Sequence, residues 1–425
     1  MKSVCIIVQN VYDMDTRVRR KAEALASAGY SVDVLALAGP NAKKSYTLNN
    51  VNIQTVSLGK KRGSLARYVY EYAAFFAWAF FRLLWLTRQK GYVVIDVNTL
   101  PDFLIFAAAP GRWFGAKLVL DMHEITPEFY MSKYGVSPDS RLIRLLNYLE
   151  KVSFNFADHV VTITEPIQEL LISRGLDPAK TIVVMNSADE THFSSSKPSP
   201  VADGASDGFR MIYHGTLTRL YGLDIAIEAF HLAHKEMPGA ELWILGSGTE
   251  KEALEELARR LGLESRVKLV GQVPSSEISS WLKRADAGIL PIRRDVFLDF
   301  AFPNKLPEFI IMERPVLVSR LKTIRRYFSE EALSYFEPHN SVDLARQMVR
   351  LYRDSGLRAR LAARAKQEYI PIRWEVMKQR YLKLIEDVAG SAGPVIACSD
   401  VAEVSVAEPK ELFDLGASES SHLLT

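Results

Sequence analysis

Short, continuous apolar runs alternate with helix-period segments, and they do so in two separate series. This feature limits the fold more than any other. Ser3 to Val8 reads SVCIIV, the pattern of a strand covered on both faces. A helical pattern from Thr16 to Ala28 stops at Gly29, and the next apolar run is Val32 to Leu37. Further strand-like runs fall at Tyr92–Val97, Lys117–Asp121, His159–Ile163 and Thr181–Met185. Strands spaced by helices in this way build parallel sheets from βαβ units.

The rhythm breaks at Ser194–Gly208 (SSSKPSPVADGASDG), whose Ser, Pro, Gly and Asp content reads as a linker. It restarts with strands expected at Arg210–His214, Glu241–Leu245, Val267–Val270, Ala287–Pro291 and Pro315–Ser319. Helices are expected from Leu223, over Glu250–Leu261, near Ser276–Arg284 and near Asn304–Met312, with a last one over Trp374–Val388. The expected fold class is α/β: two doubly wound Rossmann-like domains facing a central cleft. The expected boundaries are 1–193, a linker at 194–208, a second domain at 209–389 whose last helix can pack back on the first, and a tail at 390–425. That tail sets Asp400, Glu403, Glu408, Glu411, Asp414 and Glu419 against Lys410. It reads as acidic and mostly disordered, with at most a short helix in PKELFDLG.

Composition narrows the class. Of 425 residues, 48% are hydrophobic and 24% charged, which excludes a collagen or a mainly disordered chain. Net charge is +3, so no global basic field points to nucleic acid. Cys5 and Cys398 are too few and too far apart for a disulfide framework. MKSVCIIVQN lacks the long apolar core of a signal peptide, and a cytoplasmic location is expected.

Several pattern matches fail. Asp13-Met14-Asp15 has the DxD form of a metal site, but Asp15 precedes a helix and reads as its cap. His123-Glu124 begins a zinc HExxH motif, yet Pro127 stands where the second His belongs. No GxGxxG follows the first strand, and no Walker lysine or GxSxG appears. Accordingly, no metal and no cofactor are expected.

In doubly wound sheets, ligands bind beyond the carboxyl ends of the strands. Three strand-end segments of the second domain carry suitable chemistry. Tyr213 to Phe230 (YHGTLTRLYGLDIAIEAF) has a glycine turn at Gly215 whose backbone N–H groups could face a phosphate, with Arg219 adding charge. Leu245 to Glu250 (LGSGTE) forms a second turn at Gly246. In Phe302 to Ser319, Asn304 would cap a helix whose first turn carries Lys305, with Glu308 one turn on. A helix N-terminus and a lysine suit a diphosphate, and a carboxylate suits a ribose diol.

Two basic features lie in the first half. Arg17, Arg19, Arg20 and Lys21 open a helix, where positive charge is mildly unfavourable. They read chiefly as a solvated face, with acceptor phosphate as the other reading and Arg17 as the acceptor-side candidate. Ala73 to Leu86 (AAFFAWAFFRLLWL) is an apolar helix broken only by Arg82, too short to span a bilayer. Lys60, Lys61, Arg62, Arg67, Arg88 and Lys90 flank it against Glu71. It either covers the core or rests on an anionic membrane surface.

Taken in order over about residues 1–385, these segments resemble the retaining glycosyltransferases of family 4 (group 1), which have the GT-B fold. The resemblance is carried by DTRVRRKAEALASAGYSVDVLAL, LVLDMHEITPE, ADHVVTIT and VVMNSADETHF. It continues through HGTLTRLYGLD, ELWILGSGTE, VKLVGQVP, ADAGILP and FPNKLPEFIIMERPVLVS. It implies a catalytic histidine at His123, near the donor sugar and the acceptor, and a ribose ligand at Glu308. It also implies a diphosphate cradle of Gly215, Thr216, Asn304 and Lys305, and a base pocket at Gly246. Thr216 and Tyr221 replace the family's usual Arg and Lys, with Arg219 as the substitute. Phe300 stands where the family's first motif glutamate would be, next to Asp299.

The implied activity is transfer of a sugar from a UDP- or GDP-sugar, without a metal and with retention of configuration. The apolar helix with basic flanks points to a lipid-linked glycan or a cell-envelope or exopolysaccharide precursor as acceptor, with seating on the inner face of the membrane expected. The rival readings are a sugar-nucleotide epimerase and a non-catalytic, nucleotide-binding partner of another transferase.

Overall fold

The computed structural model describes residues 2–39, 43–58, 65–188, 190, 193 and 208–390. The expected linker (save Gly208), the acidic tail, Cys398 and Lys60, Lys61 and Arg62 lie outside the described residues. Among the described residues there are two α/β layers, each built on one sheet.

The first sheet contains β1 (Ser3–Val11), β2 (Ser31–Leu37), β3 (Ser45–Leu48), β4 (Val51–Val56), β5 (Tyr92–Asn98), β6 (Lys117–Met122), β7 (His159–Thr162) and β8 (Thr181–Val183). Its order is β3-β4-β2-β1-β5-β6-β7-β8, parallel except for the antiparallel β3–β4 pair. The second contains β9 (Arg210–His214), β10 (Glu241–Leu245), β11 (Val267–Gly271), β12 (Ala287–Leu290), β13 (Val316–Ser319) and β14 (Ser334–Phe336), all parallel, in the order β11-β10-β9-β12-β13-β14. The chain leaves β1 for β2 on one side and places β5 on the other. β9 is flanked in the same way by β10 and β12. These reversals open crevices at the carboxyl ends of β1/β5 and β9/β12.

Local chemistry explains the elements. Val4 to Ile7 are completely buried, so β1 spends its apolar run on both faces of the sheet. The Thr16–Ser27 helix begins where Asp15 accepts from the Val18 N–H, and it buries Val18, Ala22 and Leu25 along one stripe. Asp15 is also held by Arg17 and Asn10, which outweigh its burial and lower its pKa to about 2. The β3–β4 hairpin escaped the strand pattern. It turns at Asn49-Asn50, both at positive φ, which suits a two-residue hairpin.

The Leu65–Lys90 helix is longer than the apolar run that announces it. Phe75, Ala79, Leu83 and Leu86 are buried in the first core, while Tyr70, Phe81 and Trp85 are exposed. Its basic flank is partly spent within the protein. Lys90 pairs with Asp33 at 2.7 Å, Arg67 with Glu71 at 2.9 Å, and Arg82 donates to Gln54 and stacks on Trp85 at 4.2 Å. No helix among the described residues is long and apolar enough to cross a membrane.

The last helix, Trp374–Gly390, returns to the first domain. Tyr381 donates to Asp96 at 2.5 Å, and Arg20 stacks on Trp374 at 4.9 Å. At the front of the cleft, Phe129 packs edge-on against Phe297 with ring centroids 5.5 Å apart, and Ser132 donates to Asp295.

Candidate active site

His123 directly follows β6 and is almost wholly buried. Its Nε2 lies 3.0 Å from Asn98 Oδ1 and 3.2 Å from an Asp121 carboxylate oxygen. The Asn98 amide oxygen can only accept, which places the proton on Nε2. Nδ1 is left as an acceptor, with no hydrogen-bond partner among the described residues. Burial, with the Arg17 and Lys21 charges, lowers the pKa well below the usual value, so the ring is neutral. The support extends further. Asn98 Nδ2 donates to Asp96 at 3.4 Å, Asp96 accepts from Tyr381, and Lys21 forms an ion pair with Asp121 beneath the histidine. His123 lines a cavity of about 560 Å³ with Gln9, Asn10, Thr99 and Glu124 from the ends of β1, β5 and β6, and with Arg17 and Lys133 from the Thr16–Ser27 and Thr126–Tyr134 helices.

This arrangement corrects the reading of the basic helix as a solvated face. Lys21 is 3% exposed, paired with Asp121 and stacked 5.0 Å over the Tyr381 ring, and burial lowers its pKa to about 8. Arg17, Arg19 and Arg20 are half-buried and line the cleft between the domains. That cleft cavity, about 410 Å³, has Asn186, Ser187 and the arginines on one side. Facing them are His214, Ser275, Asn304 and Glu308. Arg17 borders both this cavity and that of His123.

The second-domain side centres on Glu308 and Lys305. Burial raises the Glu308 pKa to about 7, against the pull of Lys305 and Arg20. Burial likewise lowers Lys305 to about 8, with Glu308 opposing. The Lys305 ammonium lies 4.4 Å over the Tyr221 ring and 5.5 Å over that of Tyr213. A Cβ on Gly215 would meet Lys305 Cε at 2.1 Å, so the lysine stem lies against the bare glycine backbone. Gly215 and Gly246, at φ +131° and +138°, also touch each other. A Cβ on Gly246 would come within 1.8 Å of the Gly215 oxygen. Gly215, Thr216 and Gly246 line a third cavity of about 440 Å³, beyond β9, β10 and β11.

Three expectations are corrected here. The Gly215 N–H donates to Leu245 O and the Leu217 N–H to Ser247 O, so these amides tie the two turns together rather than facing a ligand. Asn304 sits in helical conformation and makes no side-chain cap. The helix it precedes, Lys305–Ile311, has only seven residues, so the charge of Lys305 outweighs any dipole effect. Arg219 is exposed on a 3-10 turn, its carbonyl is taken by Arg293, and it borders none of the three cavities. Arg82 lies on the Leu65–Lys90 helix and is also outside them.

His214 was missed. It ends β9, is 6% exposed, and its Nε2 lies 3.3 Å from a Glu308 oxygen. Burial, with Lys305 adding, pushes its pKa down to about 3, so it too is a neutral ring. It borders both the cleft and the third cavity. Like His123, it stands at the carboxyl end of a strand, where doubly wound sheets bind ligands.

Phe300, at the position of the missing glutamate, packs with Phe297 against the first-domain core, and Lys322 lies 4.9 Å over its ring.

Comparison with known proteins agrees with this architecture. Residues 14–187 match the model of a glycosyl transferase 4-like domain, and residues 208–354 match that of glycosyl transferases group 1. A probable glycosyltransferase of Pseudomonas aeruginosa, WbjE, is 26% identical over 274 residues. The match covers 61% of this chain and 65% of that one, just under two thirds of the relative. Sucrose-phosphate synthase from Thermosynechococcus elongatus superposes with a TM-score of 0.69 at 19% identity, covering 90% of this chain and 98% of that one. Anabaena HepE, solved in complex with UDP, gives 0.68 at 18% identity, with coverages of 91% and 100%.

Proposed function

Because the chain belongs to the group 1 glycosyltransferases of family 4, with the GT-B fold, we propose a specific reaction for it. A hexosyl unit passes from a UDP- or GDP-sugar to a glycan acceptor with retention of configuration, and no metal ion takes part. The observation that carries this is the shared wall at Arg17. Glu308, Asn304 and His214 face the Arg17–Arg20 helix across one cleft, and Arg17 continues into the cavity of His123. A donor anchored on the second domain therefore points its sugar toward His123.

Glu308 holds the ribose diol, Lys305 the diphosphate, and Gly246 borders the base. Thr216 lies between, at the mouth of the third cavity. Lys305, with Arg17, Arg19 and Arg20, offsets the charge of the departing diphosphate. An acceptor hydroxyl attacks the anomeric carbon from the face that the diphosphate leaves. The departing phosphate oxygen takes the proton. Neutral His123, fixed through Nε2, offers Nδ1 to a hydroxyl of the donor sugar or the acceptor. Closing the cleft excludes water and limits hydrolysis of the donor.

The acceptor is a lipid-linked glycan or a cell-envelope polysaccharide precursor. The enzyme works in the cytoplasm against the inner membrane face, with exposed Tyr70, Phe81 and Trp85 supporting that seating. The test is a panel of UDP- and GDP-hexoses with a lipid-linked acceptor fraction, and proton NMR of the product. The anomeric configuration of the donor is expected in the product, and the inverted configuration contradicts retention. Nucleotide binding without turnover on any pair would favour a non-catalytic partner role, which Phe300 in place of a glutamate keeps as the second reading.

A further inference from the structure

A second cavity of about 600 Å³ lies beside that of His123, and its walls are of opposite character. Phe103, Phe129, Tyr130, Leu142, Leu146 and Leu149 dominate it. Its one acidic wall residue, Asp102, is buried and accepts from Thr126 Oγ1 at 3.0 Å. Burial, with the nearby Glu150 charge, raises its pKa to about 8, so at neutral pH it is mostly uncharged. The volume falls in the range of about 300–1,000 Å³ typical of small-molecule sites.

The two cavities adjoin. Tyr72, Leu100 and Lys133 belong to both walls. The same two chain segments build both. After β5, Thr99 faces the polar side, and Pro101, Asp102 and Phe103 face the apolar one. After β6, His123 and Glu124 face the polar side, and the Thr126–Tyr134 helix faces the apolar one. Lys133 stands at the junction. Its ammonium lies 4.9 Å over the Phe129 ring and 5.4 Å over that of Tyr134, and it has no ion-pair partner within 4 Å among the described residues. Of the apolar wall, Leu142 and Tyr134 are exposed, Tyr134 beside Lys133.

An apolar hollow, a cation at its mouth and a polar hollow beyond, in that order, match one kind of molecule. We propose that the acceptor is a sugar or polyol carried on a lipid phosphate or diphosphate. Its hydrocarbon chain enters the Phe103–Leu146 cavity, its phosphate rests beside Lys133, and the hydroxyl that receives the sugar lies near His123. The inference rests on the glycosyl transfer proposed above and names its acceptor class. A chain longer than the cavity would leave past Leu142.

The test uses alkyl phosphates from hexyl to dodecyl, below their micelle concentrations, with inorganic phosphate and dodecanol as single-feature controls. Binding is read by calorimetry. Affinity is expected to rise by up to about fourfold per added methylene, as burial of each CH₂ allows, and then to level off once the cavity is full. Inorganic phosphate alone should not bind measurably at the concentrations used. Leu146→Asp should abolish the chain-length dependence. Lys133→Ala should weaken every alkyl phosphate by a similar factor, on the order of tenfold for a lost charge-assisted contact, and leave dodecanol unchanged. Leu142→Asp, at the exposed rim, gives the same reading if Leu146→Asp does not fold. Affinity independent of chain length, or a dependence that survives both leucine variants, would overturn the inference. UDP and GDP are titrated into the same samples. Nucleotide binding without alkyl phosphate binding sinks this inference alone. Alkyl phosphate binding without transfer to any acceptor supports the cavity and counts against the transferase reading.

Discussion

The two domains each end a buried strand region in a neutral histidine at the cleft, but they treat it differently. His123 is hydrogen-bonded through Nε2 to Asn98, with Asp121 3.2 Å away, and these two are braced by Asp96, Tyr381 and Lys21. His214 makes no hydrogen bond through Nε2 among the described residues, and a Glu308 oxygen lies 3.3 Å from it. Around it, Glu308 and Lys305 have both been moved by burial toward their uncharged forms. The first-domain side is thus built in advance. The second-domain side holds two charges in reserve that a nucleotide diphosphate would satisfy. The contrast fits a site where one half positions and the other half recognises.

The comparison can be broken most strongly at Lys21. Lys21→Met leaves Asp121 buried without its cation, and the expected loss is about 3–5 kcal/mol in urea unfolding. Adding Asp121→Leu to Lys21→Met should restore much of it. Equal stability of Lys21→Met and the native protein would show that no preformed network exists. Glu308→Gln has the opposite expectation. The raised pKa of Glu308 stabilises the fold fully below the ordinary carboxylate value of about 4.3. That contribution is lost as pH rises through about 7. The Gln variant should therefore be as stable as native near pH 4 and more stable than native at pH 8, by the same unfolding measurement.

Function sharpens the contrast next. His123→Ala should lower the transfer rate on the order of 10²-fold while the affinity for nucleotide holds, since no donor anchor is touched. A smaller effect is expected from pH. Nucleotide affinity should rise as Glu308 ionises near pH 7 and fall as Lys305 loses its proton above about 8. The profile should be a narrow bell with limbs no steeper than about tenfold per unit. Glu308→Gln should remove the acid limb and keep the alkaline one, and a flat native profile would deny both groups a role.

Much of this was legible in the chain because the signals are local. The apolar runs disclosed the two parallel sheets, and the strand-end rule led to the loops that hold His123, Gly215, Gly246 and Lys305. Other features depend on what arrives from far away. Nothing in RVRRKA tells which of four cations turns inward. Lys21 does so because the helix stripe that buries Val18, Ala22 and Leu25 also carries it toward Asp121, a hundred residues on. Tyr381 reaches Asp96 only because the last helix returns to the first domain. Arg219 adds a positive charge to the Gly215 segment of the sequence. The 3-10 turn carries it outward instead, and Arg293 takes its carbonyl. Short elements were the other blind spot. The β3–β4 hairpin and β14 are too brief for periodicity to resolve, although Asn49-Asn50 marked the first of them.

The central claim is that nucleotide recognition belongs to the second domain and that His123 takes no part in it. Calorimetric titration of UDP and GDP into the native protein, Glu308→Ala and His123→Ala, without metal, tests this directly. One nucleotide should bind the native protein and His123→Ala alike and should fail with Glu308→Ala, for a loss of about 10–100-fold from a charge-assisted contact. Equal binding to Glu308→Ala, or loss in His123→Ala, would contradict the division of labour between the two domains.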